Sequence, residues 1–417
     1  MTLDRTQAPA SSRVTELNLP EPTVFKTSNG AQILVVEDDS AEIVYLEIIL
    51  ESGRWMENPF GVGYYASKLL SEGTSRFSSS ELAEAFEIQG SYLQISPGLD
   101  HINIRLYALK KTFRDSLALL QHIFEEATFP QSEFERMRAI RFQEIKNQHS
   151  RNNQFASAKF QEAIFGPDHP YGKISTVENL SGITRDDIVS YAQENLWTRP
   201  TIILVGKLDN EVELVTDWVD SKTLSKPNVE EQLLAPTKDP ISIFRENSTQ
   251  ASVRLGGMAI DKRHPDFHNL SITNMMFGGF FGSRLMKNIR EKKGLTYGIY
   301  SQLAHLKNAS YLVISAEVEQ QNSALVINEI QQELSELSNQ PPSKEEVDTV
   351  LNYTRGKLLA SIDSTLSLVS IFKSQLLFNL EKDHQSKFLQ ALDKFEPKTA
   401  SDMASKYLTI TNEVVVA

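Results

Sequence analysis

The chain repeats itself at half its length. Pro130-Gln131-Ser132-Glu133 opens one helical stretch running to about Asn147, and Pro342-Ser343-Lys344-Glu345 opens another running to about Leu359. A serine N-cap followed by acidic residues in the first turn is the start signal both share. Each half then closes on an apolar strand, Thr201 to Gly206 and Glu413 to Ala417. The two helix starts lie 212 residues apart, and Val205 and Val416 lie 211 apart. Two independent landmarks at one offset point to a duplicated unit. Each half also opens on apolar, β-branched runs: Ile33–Val36 and Ile43–Leu50 in the first, Ile241–Phe244 and Val253–Ile260 in the second.

Strands and helices mix within each half, which predicts an α+β fold of two homologous sandwich domains. The expected layout is an N-terminal extension over 1–20, a first domain over 21–220, a linker over 221–240 and a second domain over 241–417. The linker assignment rests on Pro227, Pro236 and Pro240 in a polar, aperiodic stretch.

Composition removes several function classes. The 417 residues include no cysteine, so no disulfide, thiolate metal site or cysteine nucleophile is available. The net charge of -12 argues against nucleic-acid binding, which needs clustered Lys and Arg. It tilts the choice of peptide partners toward basic ones, beside the simpler reading that the charge keeps the chain soluble. Met1 to Pro20 is polar, with Asp4, Arg5 and Glu16 and no apolar core, unlike a signal peptide. No run approaches the length of a membrane span. A cytoplasmic location and no membrane association are the expectations. Nucleophile-elbow and P-loop motifs are absent. His264 and His268 have chelating i, i+4 spacing, but Pro265 places His264 at or before the helix start. His169, in Asp168-His169-Pro170-Tyr171-Gly172, reads as a packed turn residue.

Two strings carry more specific information. The first is Gly61-Val62-Gly63-Tyr64-Tyr65-Ala66-Ser67-Lys68-Leu69-Leu70-Ser71-Glu72-Gly73-Thr74. It resembles the first core helix of the pitrilysin/insulinase-type zinc metallopeptidases, the family that includes mitochondrial-processing-peptidase-like chains. In active members that helix carries H-x-x-E-H just before a Gly-Thr, with a further Glu ligand about 75 residues on. Alignment on Gly73-Thr74 puts Tyr64 and Lys68 at the two histidine positions and Ser67 at the general base. Glu144, after 75 intervening residues, matches the third ligand. A Lys ammonium repels a cation, Tyr is a poor ligand at neutral pH, and Ser67 has no group to take a proton from water. The resemblance therefore implies a degenerate zinc site (Tyr64, Ser67, Lys68, Glu144) and no metal in this chain. Lys68 is expected to form an ion pair with Glu144 where the metal would have been.

The second string is Met276-Phe277-Gly278-Gly279-Phe280-Phe281-Gly282-Ser283-Arg284-Leu285, followed by Ile289-Arg290-Glu291-Lys292-Lys293-Gly294-Leu295-Thr296-Tyr297. It is similar to the same family's Gly-rich turn, S-R-L and R-E-x-x-G-L-x-Y elements. The resemblance implies that Arg290 and Tyr297 support catalysis in trans and that Gly278, Gly279, Gly282 and Ser283 bind substrate. The alternative for the pair is that Arg290 meets Glu291 and Tyr297 packs in a core.

The resemblance spans about residues 20 to 417 and implies a division of labour. A homologous partner chain carries zinc and hydrolyses peptides or unfolded segments. This chain binds substrate and has no cofactor of its own. One rival is a purely structural subunit derived from the peptidase fold, against which the retained pair argues. The other is an active enzyme with a different metal arrangement, against which Lys68 argues.

Overall fold

A computed structural model describes Leu19 and residues 21–226, 234–237, 239–246 and 248–417. The expected N-terminal extension, apart from Leu19, and much of the expected linker lie outside the described residues. Two domains mixing helices and sheets make up the rest. The first sheet has the order β1 (Thr23–Lys26), β2 (Gln32–Glu37), β6 (Thr201–Gly206), β3 (Ile43–Leu50), β5 (Ile102–Leu109), β4 (Tyr92–Pro97). The second has the order β7 (Ile241–Ile243), β11 (Asn412–Val416), β8 (Gln250–Met258), β10 (Ser310–Glu319), β9 (Thr296–His305). Apart from the extra edge strand β1, the two orders are the same. In each sheet the pair β2/β6 or β7/β11 is parallel and the other pairings are antiparallel. The repeat seen in the sequence is thus a repeat of topology.

In the first half, α1 (Val62–Leu69) and α2 (Ser79–Ile88) lie between β3 and β4, α3 (Phe113–Glu126) and α4 (Gln131–Ser150) follow β5, and α5 (Asn152–Phe165) comes next. Ser78 caps α2 in a full capping box with Glu81, and Ser343 caps the helix Lys344–Ala360 by accepting from the Glu346 amide at 3.1 Å. At α4 the expected serine cap is displaced. Pro130 occupies the N-cap, its carbonyl accepting from the Phe134 amide at 3.0 Å, and Ser132 lies inside the first turn.

The helix after each long helix crosses to the other half. Val369, Ile371 and Phe372 of the helix Thr365–Leu377 pack on Leu34, Val36, Tyr45, Ile49, Ile203 and Val205, the outer face of the first sheet. Reciprocally, Ala156, Phe160 and Ala163 of α5 pack with Tyr311, Val414 and Val416 on the outer face of the second. This exchange explains why β3 is buried almost throughout and β6 throughout, where a half-buried strand would alternate. The same exchange is fixed by charge. Glu47, 2% exposed on β3, accepts from Arg105 Nε at 2.8 Å and from Lys373 Nζ at 2.7 Å. Buried Arg254 on β8 meets Glu317 at 3.0 Å and donates to the Asn153 carbonyl of α5 at 3.1 Å.

Candidate functional site

The degenerate site sits where α1 crosses α4. Val62, Tyr65, Ala66 and Leu69 turn the apolar side of α1 into the first core, and Tyr64 and Lys68, one turn apart, are its half-buried residues. The Tyr64 hydroxyl donates to a Glu144 carboxylate oxygen at 3.3 Å. Arg141, one turn before Glu144 on α4, pairs with the same oxygen at 3.1 Å, and its guanidinium lies 4.4 Å from the Tyr64 ring centroid. Burial, and after it the Glu144 charge, raises the Tyr64 phenol above its ordinary range. Ser67 is fully buried and donates to the Tyr64 carbonyl at 2.9 Å.

Lys68 does not meet Glu144. It reaches the other way and donates to the Ile95 carbonyl on β4 at 3.2 Å, so the expected Lys68–Glu144 ion pair is corrected to Arg141–Glu144. The physical reason is reach. Arg141 shares a helix with Glu144 and already points at its carboxylate, whereas a lysine on α1 finds a backbone acceptor nearer. The pair is also not deeply buried, since the Glu144 side chain is 44% exposed. These residues do not fit zinc: a guanidinium stands over the one retained carboxylate, and the base position is sealed in the core. Among the described residues, no group of three or more His, Asp or Glu side chains converges as a metal site. Arg141 escaped the sequence reading, although its i, i+3 spacing to Glu144 was the available signal.

Near Arg54 and Arg141 lies a half-buried glutamate. Glu57 accepts from the Gly61 amide at 2.7 Å, and burial pushes its pKa up, against the opposing pull of Arg54.

In the second half, the helix Phe267–Asn274 runs on into a wide, π-type turn over Met275–Gly279, and a second π-type stretch spans Met286–Lys292. Such turns recur at functional sites. Between them, Arg284 grips Glu346 through two bonds of 2.6 and 2.9 Å, tying this segment to the helix Lys344–Ala360. Phe280 stacks on Tyr353 with centroids 4.6 Å apart.

Arg290 lies in the last turn of the second π-type stretch, with its guanidinium 4.8 Å from the centroid of the exposed Phe281 ring. Gly294, at φ +64°, turns the chain into β9. Tyr297, the second residue of this edge strand, is 92% exposed, so it packs in no core of the chain. No ion pair joins Arg290 to Glu291 among the described residues.

The glycines divide. Gly278 is buried, and a Cβ there would lie 2.6 Å from Ser301 Cβ and 2.8 Å from its nitrogen, so glycine is required by helix-on-strand packing. Ser283 is 1% exposed, its Oγ buried without a hydrogen-bond partner. Enclosed in this way, Gly278 and Ser283 offer substrate no surface, which corrects the expectation for both. Gly279 and Gly282 remain half-buried. His264 and His169 match their bland readings, whereas His268 and His384 lie together with ring centroids 4.5 Å apart. His264 precedes its helix and accepts from the Asp266 amide at 3.1 Å, and His169 is buried between Trp55 and Phe165.

Comparison with known proteins agrees with this architecture. Residues 32–170 match the profile of the insulinase family, peptidase family M16, and residues 182–353 match the profile described as the peptidase M16 inactive domain. A Bacillus subtilis chain named as the uncharacterized zinc protease YmxG is 23% identical over 372 residues, covering 86% of this chain and 89% of that one. A Helicobacter pylori chain named as the non-peptidase homolog YmxG is 19% identical over 367 residues, covering 85% and 84%. The crystal structure of a peptidase M16 inactive domain from Pseudomonas fluorescens superposes with a TM-score of 0.86 at 23% identity, covering 95% of this chain and 98% of that one. The relatives' names divide between protease and non-peptidase. With two matching sheets in tandem, a metal-site helix stripped of its ligands and both halves matched in order, the chain belongs to the insulinase family, peptidase family M16, with an inactive peptidase-like fold.

Proposed function

We propose that this chain is the non-catalytic, substrate-binding member of a two-chain zinc endopeptidase. It lends Arg290 and Tyr297 to the metal site of a homologous, zinc-bearing partner. The observation that carries the reading is the 92% exposed Tyr297 phenol on an edge strand, seven residues after an Arg290 that rests on an exposed Phe281, in a chain whose own α1–α4 crossing does not suit a metal. Large aromatic rings left in water on a sheet edge mark surface that something else covers.

Hydrolysis of a peptide bond builds negative charge on the carbonyl oxygen. A guanidinium and a phenol set beside that oxygen bind the transition state more tightly than the ground state. The substrates are peptides or unfolded segments, met in the cytoplasm. Among the described residues, no helix is long and apolar enough to cross a membrane.

The test is to purify this chain alone, a homologous zinc-bearing chain from the same cell alone, and the two together, and to measure zinc and peptidase activity in each. Activity is expected only with the partner present. In the complex, Arg290→Ala and Tyr297→Phe should each lower kcat on the order of 100-fold while assembly on gel filtration is unchanged. Wild-type rates from both variants would leave the pair without a catalytic part and favour a structural subunit instead.

A further inference from the structure

A cleft of about 470 Å³ opens beside the Tyr64–Arg141–Glu144 cluster, between the end of α4, the start of α5 and the 172–175 loop. Its walls include Arg54, Arg141, Lys173 and Arg254, and no Asp or Glu. In a chain with 54 acidic and 42 basic residues, a concave surface with four permanent cations and no carboxylate is a local inversion of charge. The volume lies within the range of small-ligand sites.

The cations are held in place. Arg54 donates to the Lys173 carbonyl at 3.0 Å, which fixes the loop, and Arg54 and Lys173 lie 5.3 and 5.0 Å from the centroid of one ring, Phe60. Arg254 is anchored to the Asn153 carbonyl and to Ser157 Oγ at 3.1 and 3.2 Å. Arg141 and Arg254 have carboxylates behind them, Glu144 and Glu317, and half-buried Glu57 stands near Arg54. Lys173 has no carboxylate within ion-pair distance among the described residues, and the Nε of Arg141 is buried without a hydrogen-bond partner. The Lys173 ammonium is therefore the donor left unspent at the cleft wall. Asn153 and Gln154, in the first turn of α5, bring the positive end of that helix to the same wall.

We propose that this cleft is a carboxylate subsite, taking the side chain of an Asp or Glu of a bound peptide. The proposal rests on the peptide-binding reading above, and it reverses the preference for basic peptides that net charge alone suggests. Lys173 supplies the free ammonium, and Arg54 and Arg141 supply the fixed positive field beside it. A carboxylate entering between them replaces hydration with charge-assisted bonds.

The test is fluorescence anisotropy of the full-length chain with a labelled, unstructured peptide bearing two glutamates and with its two-glutamine counterpart. The glutamate peptide is expected to bind about tenfold more tightly at low salt, with the advantage shrinking as ionic strength rises. Lys173→Gln should bring the two peptides to near parity, and Lys173→Arg should keep the preference. Equal binding of both peptides to the wild type overturns the subsite and leaves peptide binding standing. Binding of neither overturns both. A glutamate preference that survives Lys173→Gln places the carboxylate elsewhere and also overturns the proposal. Inorganic phosphate that binds more tightly than the glutamate peptide would reassign the cleft to phosphate.

Discussion

Replacing Glu47 by Gln should uncouple the two halves. Glu47 is 2% exposed and faces two cations, Arg105 from the neighbouring strand and Lys373 from the helix that the second half lays across the first sheet. Removing one partner of a buried ion pair leaves the other charge uncompensated, at a typical loss of about 3–5 kcal/mol. Here the stranded side chains are 30% and 22% exposed, so water relieves part of the strain and the loss should fall near the low end, about 3 kcal/mol. For a unit of roughly 200 residues each kcal/mol moves Tm by roughly 2–4 °C, so the expected drop is about 6–12 °C. The assay is urea denaturation followed by near-UV circular dichroism, with Lys373→Met and the double variant completing a cycle. Lys373→Met alone leaves Glu47 with Arg105 and should be milder, and the double variant should recover part of the Glu47→Gln loss. A loss below about 1 kcal/mol, or no coupling between Glu47 and Lys373, would refute the idea that this charge cluster pins the exchanged helix.

Three further outcomes are expected. Installing Tyr64→His, Ser67→Glu and Lys68→His should not restore stoichiometric zinc unless Arg141 is also replaced by Ala, as read by elemental analysis, because Arg141 already occupies the Glu144 carboxylate. Gly278→Ala should destabilise the chain by about 1–3 kcal/mol in chemical denaturation, since the new Cβ meets Ser301 backbone at 2.8 Å. Burial pushes His268 and His305 down to about 4 from an ordinary 6.5, with Lys262 and the His384 ring adding repulsion. Both rings are therefore neutral in the folded state, the unfolded chain binds protons first, and their stability contribution is present above pH 6.5 and lost as pH falls toward 4. The loss should be roughly 1–3 kcal/mol per ring once solvent exposure is allowed for. Denaturant midpoints measured across that pH window should flatten in the His268→Phe/His305→Phe variant.

The duplicated frame was legible because it is written in local signals. Ile43–Leu50 and Thr201–Gly206 are strands over those same residues, being β-branched runs bounded by turn residues. The helix exchange was not legible. Nothing local in Asn152–Phe165 or Thr365–Leu377 says which sheet the helix will cover, because that depends on contacts some 200 residues away along the chain. The site showed the same division. The family resemblance placed Glu144 opposite α1, but it does not decide which of several nearby side chains takes the vacated position. Arg141 won over Lys68 by starting one turn away on the same helix. Gly278 and Ser283 failed in the opposite sense, since a Gly-rich motif reads alike whether the glycine opens a surface or admits a packed neighbour.

That division also explains how a metal site can be lost without the fold. The residues that seat α1, namely Val62, Tyr65, Ala66 and Leu69, are all buried, and they alternate around the helix with Tyr64 and Lys68, which are not. Changing the latter two alters chemistry at the edge of the core, where Tyr64 packs against it, rather than inside it. What must be replaced is charge: a carboxylate on α4 that no longer faces a cation would repel other acids in an already acidic chain. Arg141 supplies that cation from within α4, at 3.1 Å, and stacks on Tyr64, so one side chain neutralises Glu144 and packs the ring that stands at a ligand position. The second half needed no such repair. Its Arg284–Glu346 clamp holds the Gly-rich segment from behind, while Tyr297 stays in solvent. Folding alone has no use for a phenol at 92% exposure on an edge strand, and that exposure is what the proposed role outside this chain rests on.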